Sequence, residues 1–156
     1  MKSRTFVFVA HPASILLLSM AVLAALLIVA GPAGAATTLV VDDDGLECPD
    51  PDHSDLASAI AVAVAGDTIE VCPGNYPEPQ LVVDEDLTIV GVGDTKPVIR
   101  PTSSTGNNGD ARGFFLVLPG ATFDLDGVVI DGAGVNVWQA IRNRGGGSVT
   151  DVDFRN

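Results

Sequence analysis

Residues 113–132, GFFLVLPGATFDLDGVVIDG, align without a gap with residues 137–156, VWQAIRNRGGGSVTDVDFRN, so that every position from 113 to 132 has its equivalent 24 positions later. The apolar positions of the two copies coincide: Phe114 with Trp138, Leu116 with Ala140, Leu125 with Val149, Val128 with Val152, and Ile130 with Phe154. Repeats of this length are typical of stacked units that bury one face only against their neighbours. The sequence therefore contains an internal structural repeat.

The repeat alternates between apolar and acidic positions. We expect Leu125, Val128 and Ile130 to point inward. The outward positions hold aspartates, namely Asp124, Asp126 and Asp131. If each copy is one turn of the chain, equivalent strands stack about 4.8 Å apart and pair in parallel around an aliphatic interior. The pattern predicts an all-β solenoid of parallel strands in which each turn of the chain forms one rung.

Shorter elements precede the repeat. β-prone runs separated by turn residues predict strands at 68–71, 81–83, 87–90 and 98–100. The four-residue spacing of Leu56, Ile60 and Val64 predicts a short helix, which Ser54 is placed to cap. Residues 101–112, PTSSTGNNGDAR, predict a projecting loop.

Residues 66–93, GDTIEVCPGNYPEPQLVVDEDLTIVGVG, resemble the opening of right-handed parallel β-helix proteins of the pectin-lyase-like superfamily. Those proteins commonly begin with a strand and an Asp-rich turn, a small amphipathic helix, a GDTI-x-V-x-PG-x-Y stretch and an LTI-x-G rung. The matching segments here are 40–45, 55–65, 66–76 and 87–91. The resemblance implies a right-handed parallel β-helix with a short N-terminal capping α-helix. Since the second repeat copy ends at Asn156, we expect only the cap and the first rungs, in a C-terminally truncated domain.

The N-terminal residues predict an export signal. Lys2 and Arg4 precede the apolar run 15–30, and the small residues 33–35 follow it directly. We therefore predict a signal peptide at residues 1–35, cleavage between Ala35 and Ala36, and the N-terminal part of a parallel β-helix domain at residues 36–156. A retained membrane anchor is the alternative, although the run is short for about 20 spanning residues. The expected location is secreted or cell surface, with no membrane contact after cleavage.

The charge after cleavage is strongly negative. The chain has 20 acidic residues, all after position 41, and six of its eight Lys and Arg residues lie after position 35. The resulting balance of −14 excludes nucleic acid and anionic membranes as expected partners. Simple solubility, adaptation to high salt and diffuse cation binding remain alternative reasons for this surface.

The two cysteines predict a disulfide rather than a metal site. Cys48 and Cys72 both lie in the exported part, and the only histidine there is His53. Carboxylates are dense at residues 42–55, but Leu46 stands where the EF-hand pattern needs an oxygen ligand. We expect no metal site and no cofactor, with a looser calcium site as the alternative.

Three residues are weak catalytic candidates. Gln139, with Ala140 and Ile141 after it, resembles the Gln-Ala-Val stretch of pectin methylesterases, in which the glutamine helps to hold an oxyanion. Asp151 and Asp153 could form the calcium-binding carboxylates of a lyase, with Arg142 and Arg144 beside them. The simpler interpretation is a solvated face in which Asp131 and Arg155, one repeat apart, form a cross-strand ion pair. No catalytic residue is therefore assigned.

These patterns favour an exported parallel β-helix module that acts as a binding or structural element, with polysaccharide as the ligand class that the resemblance implies. The alternative is the N-terminal portion of a carbohydrate-active enzyme, of pectin esterase or polysaccharide lyase type, whose catalytic rungs are missing. A truncated reading frame without function is the third interpretation. We do not expect enzymatic activity from the chain as given. An open C-terminal rung would expose unpaired strand edges, so we also expect self-association.

Overall fold

The computed structural model describes residues 35–132 and 134–156. Of the predicted signal peptide, only Ala35 falls within these ranges, where it and Ala36 are exposed. The rest of the export signal lies outside the described residues. Within the described ranges, no helix has the length and apolar character needed to cross a membrane.

The described residues form short strands with one α-helix and one 3-10 helix. The strands are β1 Thr38–Val41, β2 Asp67–Val71, β3 Asn75–Glu78, β4 Leu81–Val83, β5 Leu87–Gly91, β6 Val98–Pro101, β7 Gly113–Val117, β8 Phe123–Asp126, β9 Val129–Asp131, β10 Gln139–Asn143, β11 Val149–Thr150 and β12 Asp153–Arg155. Helix α1 spans Leu56–Val62, and the 3-10 helix spans Gly109–Arg112. The four strands predicted upstream of the repeat are all present.

The strands form three parallel sheets, as the repeat predicts. Their orders are β1-β2-β5-β8-β11, β3-β6-β9-β12 and β4-β7-β10. From β2 onward the chain enters the five-stranded, four-stranded and three-stranded sheets in the same cyclic order. We call one passage through all three sheets a circuit, and residues 137–156, with β10, β11 and β12, the last circuit.

The core lies between the sheets and is built from the inward apolar positions. Leu125, Val128 and Ile130 are buried as predicted. The outward prediction for Asp131 is wrong, because this residue is 8% exposed and its Oδ2 lies 3.1 Å from Arg100 Nη2. Arg155 does lie beside Asp131 in the register of β12 and β9. A paired carboxylate at a strand end can thus occupy a mostly buried position.

The gapless alignment of the two repeat copies holds for two sheets and fails for the third. Val149 pairs with Leu125 and Phe154 with Ile130, as expected from the 24-residue offset. In the three-stranded sheet, however, Ile141 pairs with Phe115. This shift by two residues is compensated in the next turn, where residues 118–121 are matched by 144–145 alone. Ala140 therefore lies where Trp138 was expected.

The N-terminal end is covered by α1. The cap is Asp55 rather than the predicted Ser54, since the Asp55 side chain accepts a 2.8 Å hydrogen bond from the backbone N–H of Ser58. The buried carboxylate of Glu78 accepts two more, from the N–H of Leu56 at 2.6 Å and of Ala57 at 3.3 Å. These bonds satisfy the free N–H groups of the first helical turn and hold α1 against β3.

The predicted disulfide between Cys48 and Cys72 is present. It joins the acidic loop after β1 to the end of β2. Next to it, the Tyr76 hydroxyl donates a 2.8 Å hydrogen bond to the Cys72 carbonyl. Tyr76 belongs to β3, a strand that the Pro-Gly-Asn turn signal at residues 73–75 concealed in the sequence.

Candidate functional site

Two arginines of the last circuit converge on one carboxylate of the preceding loop. Arg142 Nε lies 3.1 Å from Asp110 Oδ1, and Arg144 Nη1 lies 2.7 Å from Asp110 Oδ2. Strand β10 supplies Arg142, Arg144 follows it directly, and the 3-10 helix supplies Asp110. The negative charge of Asp110 therefore offsets the repulsion between the two guanidinium groups.

Gln139 lies in the same cluster. Its Oε1 accepts a 3.3 Å hydrogen bond from Arg142 Nη1, so the carboxamide is oriented by the arginine. The loop is fixed from the other side by Gln80, whose Nε2 donates to the carbonyl oxygens of Asp110 at 2.9 Å and Gly113 at 2.7 Å. The structure thus places Gln139 beside cations, and its catalytic role stays a prediction.

Trp138 is the exposed aromatic residue of this region. Its side chain is 58% exposed, and the guanidinium carbon of Arg112 lies 5.3 Å from the ring centroid, a cation–π distance. The backbone N–H of Trp138 donates a 2.9 Å hydrogen bond to Thr105 Oγ1, which ties the residue to the loop 101–112. A surface pocket lined by Asn136, Val137 and Trp138 adjoins the indole.

We call this surface the Trp138 face. Its members are Asp110, Arg112, Trp138, Gln139, Arg142 and Arg144. Three of the six cations in residues 36–156 belong to it, against one of the 20 carboxylates. The Trp138 face is consequently a cationic patch on an acidic chain, and it combines charge, an amide and an exposed aromatic ring.

The gapless alignment of the sequence placed Trp138 on Phe114, which predicts a packed side chain at position 138. The register instead sets Ala140 beside Phe114 and leaves Trp138 before the strand. One signal could have revealed this: a two-residue shift pairs Ala140 and Ile141 with Phe114 and Phe115, which is an equally apolar match.

The other two candidates lie elsewhere. Lys96 Nζ is 2.7 Å from Asp151 Oδ1 and 3.5 Å from Asp153 Oδ1. The hydrogen bond that Lys96 donates to Asp151, together with the negative charge of Asp151, raises the pKa of Lys96 despite some desolvation. Asp151, in the turn before β12, and Asp153, at the start of β12, thus contact a lysine. Arg142 and Arg144 contact Asp110 instead. The combination considered for a lyase is divided between two separate ion-pair clusters.

The acidic loop after β1 brings four carboxylates together. One carboxylate oxygen from each of Asp42, Asp43, Asp44 and Glu47 lies within 4.8 Å of the others. The buried carboxylate of Asp42 accepts backbone hydrogen bonds from Cys48 at 2.6 Å, Gly45 at 3.0 Å and Asp44 at 3.2 Å. Burial raises the pKa of Asp42, but these backbone donors outweigh it and bring the pKa below its ordinary value. The carboxylate therefore shapes the turn that carries Cys48.

A scan against protein-family models, a search of curated proteins and a search of solved structures each found no match to this chain. Inference about function accordingly starts from the residues of the chain itself.

Proposed function

We propose that the chain is an exported right-handed parallel β-helix module, similar to the pectin-lyase-like superfamily, that binds an acidic polysaccharide through the Trp138 face. Its role outside the cell is binding or structural support. The observation that carries the proposal is an exposed Trp138 under Arg112, next to two further arginines, on a chain that is otherwise strongly acidic.

The arrangement of the three parallel sheets supports the proposed β-helix. Strands that follow each other in the chain belong to different sheets, while strands three places apart pair in parallel, as β2 with β5 and β5 with β8. This order is that of a chain wound around a common interior. Connections between parallel strands of one sheet are right-handed in about 98% of cases, which favours the right-handed form.

The chemistry of the Trp138 face supports a saccharide that carries carboxylates. A flat indole with an exposed side stacks against the apolar face of a sugar ring. Guanidinium groups bind carboxylates through paired N–H donors. The Trp138 face has three guanidinium groups, those of Arg112, Arg142 and Arg144. The Gln139 amide adds a donor for hydroxyl groups.

The disulfide supports a location outside the cytoplasm, because such bonds persist mainly in oxidising compartments. The enzymatic alternative, an esterase or lyase portion, has weaker support. Within the described residues, the Gln139 side chain accepts a hydrogen bond from Arg142, and Asp151 and Asp153 contact Lys96.

Isothermal titration with polygalacturonate and with uncharged dextran tests the proposal. We expect binding to polygalacturonate that weakens with added salt, and at least about tenfold weaker binding by Trp138→Ala and by Arg112→Ala. Phe154→Ala is the matched control, because Phe154 is equally exposed at 56% but lies outside the Trp138 face. Binding that is unaffected by both substitutions, or no binding to either polymer, would overturn the proposal.

A further inference from the structure

The loop 101–112 contains the one Asn-Gly sequence of the chain, at Asn108 and Gly109. Both residues are exposed. Among the described residues, the Asn108 side chain makes no capping hydrogen bond to the 3-10 helix that follows it. The N–H of Gly109 has no partner within that helix, because Gly109 is its first residue. The carboxamide and the backbone nitrogen next to it are therefore both accessible to water.

Gly109 removes the steric obstacle to a reaction between these two groups. It has a φ of 53°, and a Cβ at this position would meet no atom of the described residues within 4 Å. Asn108 is extended, with a ψ of 161°, so the backbone must rotate about its Cα–C bond before the Gly109 nitrogen reaches the carboxamide. Glycine permits this rotation, since it has no side chain to hinder the approach. The site thus has a conformational freedom that an asparagine followed by a larger residue lacks.

We propose that Asn108 is a modification site that deamidates spontaneously through a cyclic succinimide, and that the new charge lowers the affinity of the Trp138 face for polysaccharide. The backbone nitrogen of Gly109 attacks Cγ of Asn108. The bond from Cγ to the side-chain nitrogen breaks, and ammonia leaves with the proton of the Gly109 N–H. Water then opens the ring at either carbonyl and leaves aspartate or isoaspartate at position 108. The net reaction consumes one water and releases one ammonia, and it needs no oxidant or reductant.

The new carboxylate forms beside the Trp138 face. Arg112 Nε donates a 2.8 Å hydrogen bond to the carbonyl oxygen of Asn107, the residue before the site, and the same guanidinium lies over the Trp138 ring. Asp110, two residues after the site, belongs to the same face. The three cations and one carboxylate of the Trp138 face then have a second carboxylate next to them. This weakens the attraction for a polymer that carries carboxylates, and the effect on affinity rests on the proposed function.

Peptide mapping by mass spectrometry tests the modification on protein expressed from the full chain and kept at mildly alkaline pH. We expect Asn108 to convert to aspartate and isoaspartate at least about tenfold faster than Asn75, an exposed asparagine followed by tyrosine. Gly109→Ala should slow the conversion at least about tenfold, and far-ultraviolet circular dichroism verifies that this variant is folded. Equal rates at Asn108 and Asn75, aspartate without isoaspartate, or an unchanged rate in folded Gly109→Ala would overturn the proposal. If that variant does not fold, the comparison of Asn108 with Asn75 in the parent decides.

Isothermal titration with polygalacturonate tests the consequence. Asn108→Asp, which carries the charge of the deamidated residue, should bind at least about threefold more weakly than the parent, and the difference should shrink as salt is raised. Asn75→Asp is the matched control, because it adds the same charge on β3, in a different sheet from β10, and should bind as the parent does. Equal affinities of Asn108→Asp and the parent would overturn the effect on affinity. If the parent itself does not bind, the proposed function fails, and the peptide map still decides whether Asn108 is modified.

Discussion

Carboxylates in residues 38–83 hold backbone N–H groups, whereas carboxylates in the last circuit hold cations. Asp42, Asp67 and Glu78 are at most 3% exposed, and each accepts at least two backbone hydrogen bonds. Asp151 and Asp153 are exposed and contact Lys96. Buried acceptors fix loops and the helix cap, and exposed ion pairs contribute little to stability. Buried carboxylates therefore stabilise the N-terminal region, whereas Asp151 and Asp153 of the last circuit form exposed ion pairs that add little.

The largest difference between the two regions is expected in their apolar side chains. Ile69 on β2 is fully buried, and Val149 on β11 of the same sheet is 48% exposed. Ile69→Ala should lower the free energy of unfolding by about 2–5 kcal/mol, because it leaves a cavity. Val149→Ala should change it by less than about 1 kcal/mol. Urea denaturation of both variants measures this, and equal effects would remove the distinction between the regions.

The disulfide should rank second. Replacing both Cys48 and Cys72 with serine should lower the free energy of unfolding by about 3 kcal/mol, since the closed loop restricts the unfolded chain. Chemical denaturation of the double variant, compared with the reduced parent protein, provides the measurement. A loss of less than about 1 kcal/mol in both the double serine variant and the reduced parent protein would mean that the disulfide does not stabilise the N-terminal region.

The smallest effects should appear in the pH dependence of two buried carboxylates. Burial raises the pKa of Glu78, with a further contribution from the charge of Asp55, although the backbone donors Leu56 and Ala57 oppose it. The folded state therefore holds this proton more tightly, and the contribution to stability falls as pH rises from 4.5 through the folded-state pKa. Backbone donors, Val64 first and then Thr37, lower the pKa of Asp67. Its contribution is present above 3.8 and is lost as pH falls through the folded-state pKa.

Glu78→Gln and Asp67→Asn should therefore change the pH profile of stability in opposite directions. The stability of Glu78→Gln relative to the parent should increase as pH rises. Asp67→Asn should be less stable than the parent at neutral pH, and this difference should disappear at acidic pH. Thermal melts between about pH 3 and about pH 8 test the signs. Parallel profiles for all three proteins would show that neither carboxylate is coupled to folding.

The 24-residue repeat was sufficient to predict the parallel strands of two sheets, since Leu125 pairs with Val149 and Ile130 with Phe154 at that offset. The register of β10 was not predictable in the same way, because Ala140 fits beside Phe114 as well as Trp138 would. The cluster around Asp110 depends on side chains 32 to 34 positions apart. No local pattern signals such a contact. The exposure of Trp138 was also not predicted, because it depends on the two-residue shift of β10 against β7.

Fluorescence of Trp138 tests the central claim most directly, because it is the only tryptophan of the chain. The two-residue shift of β10 leaves the indole exposed under Arg112, ready to contact a ligand. We expect the free protein to emit close to free tryptophan in water, with efficient quenching by acrylamide, and polygalacturonate to shift the emission to the blue and protect it. A blue-shifted, acrylamide-resistant emission in the free protein that polygalacturonate does not change would contradict the account.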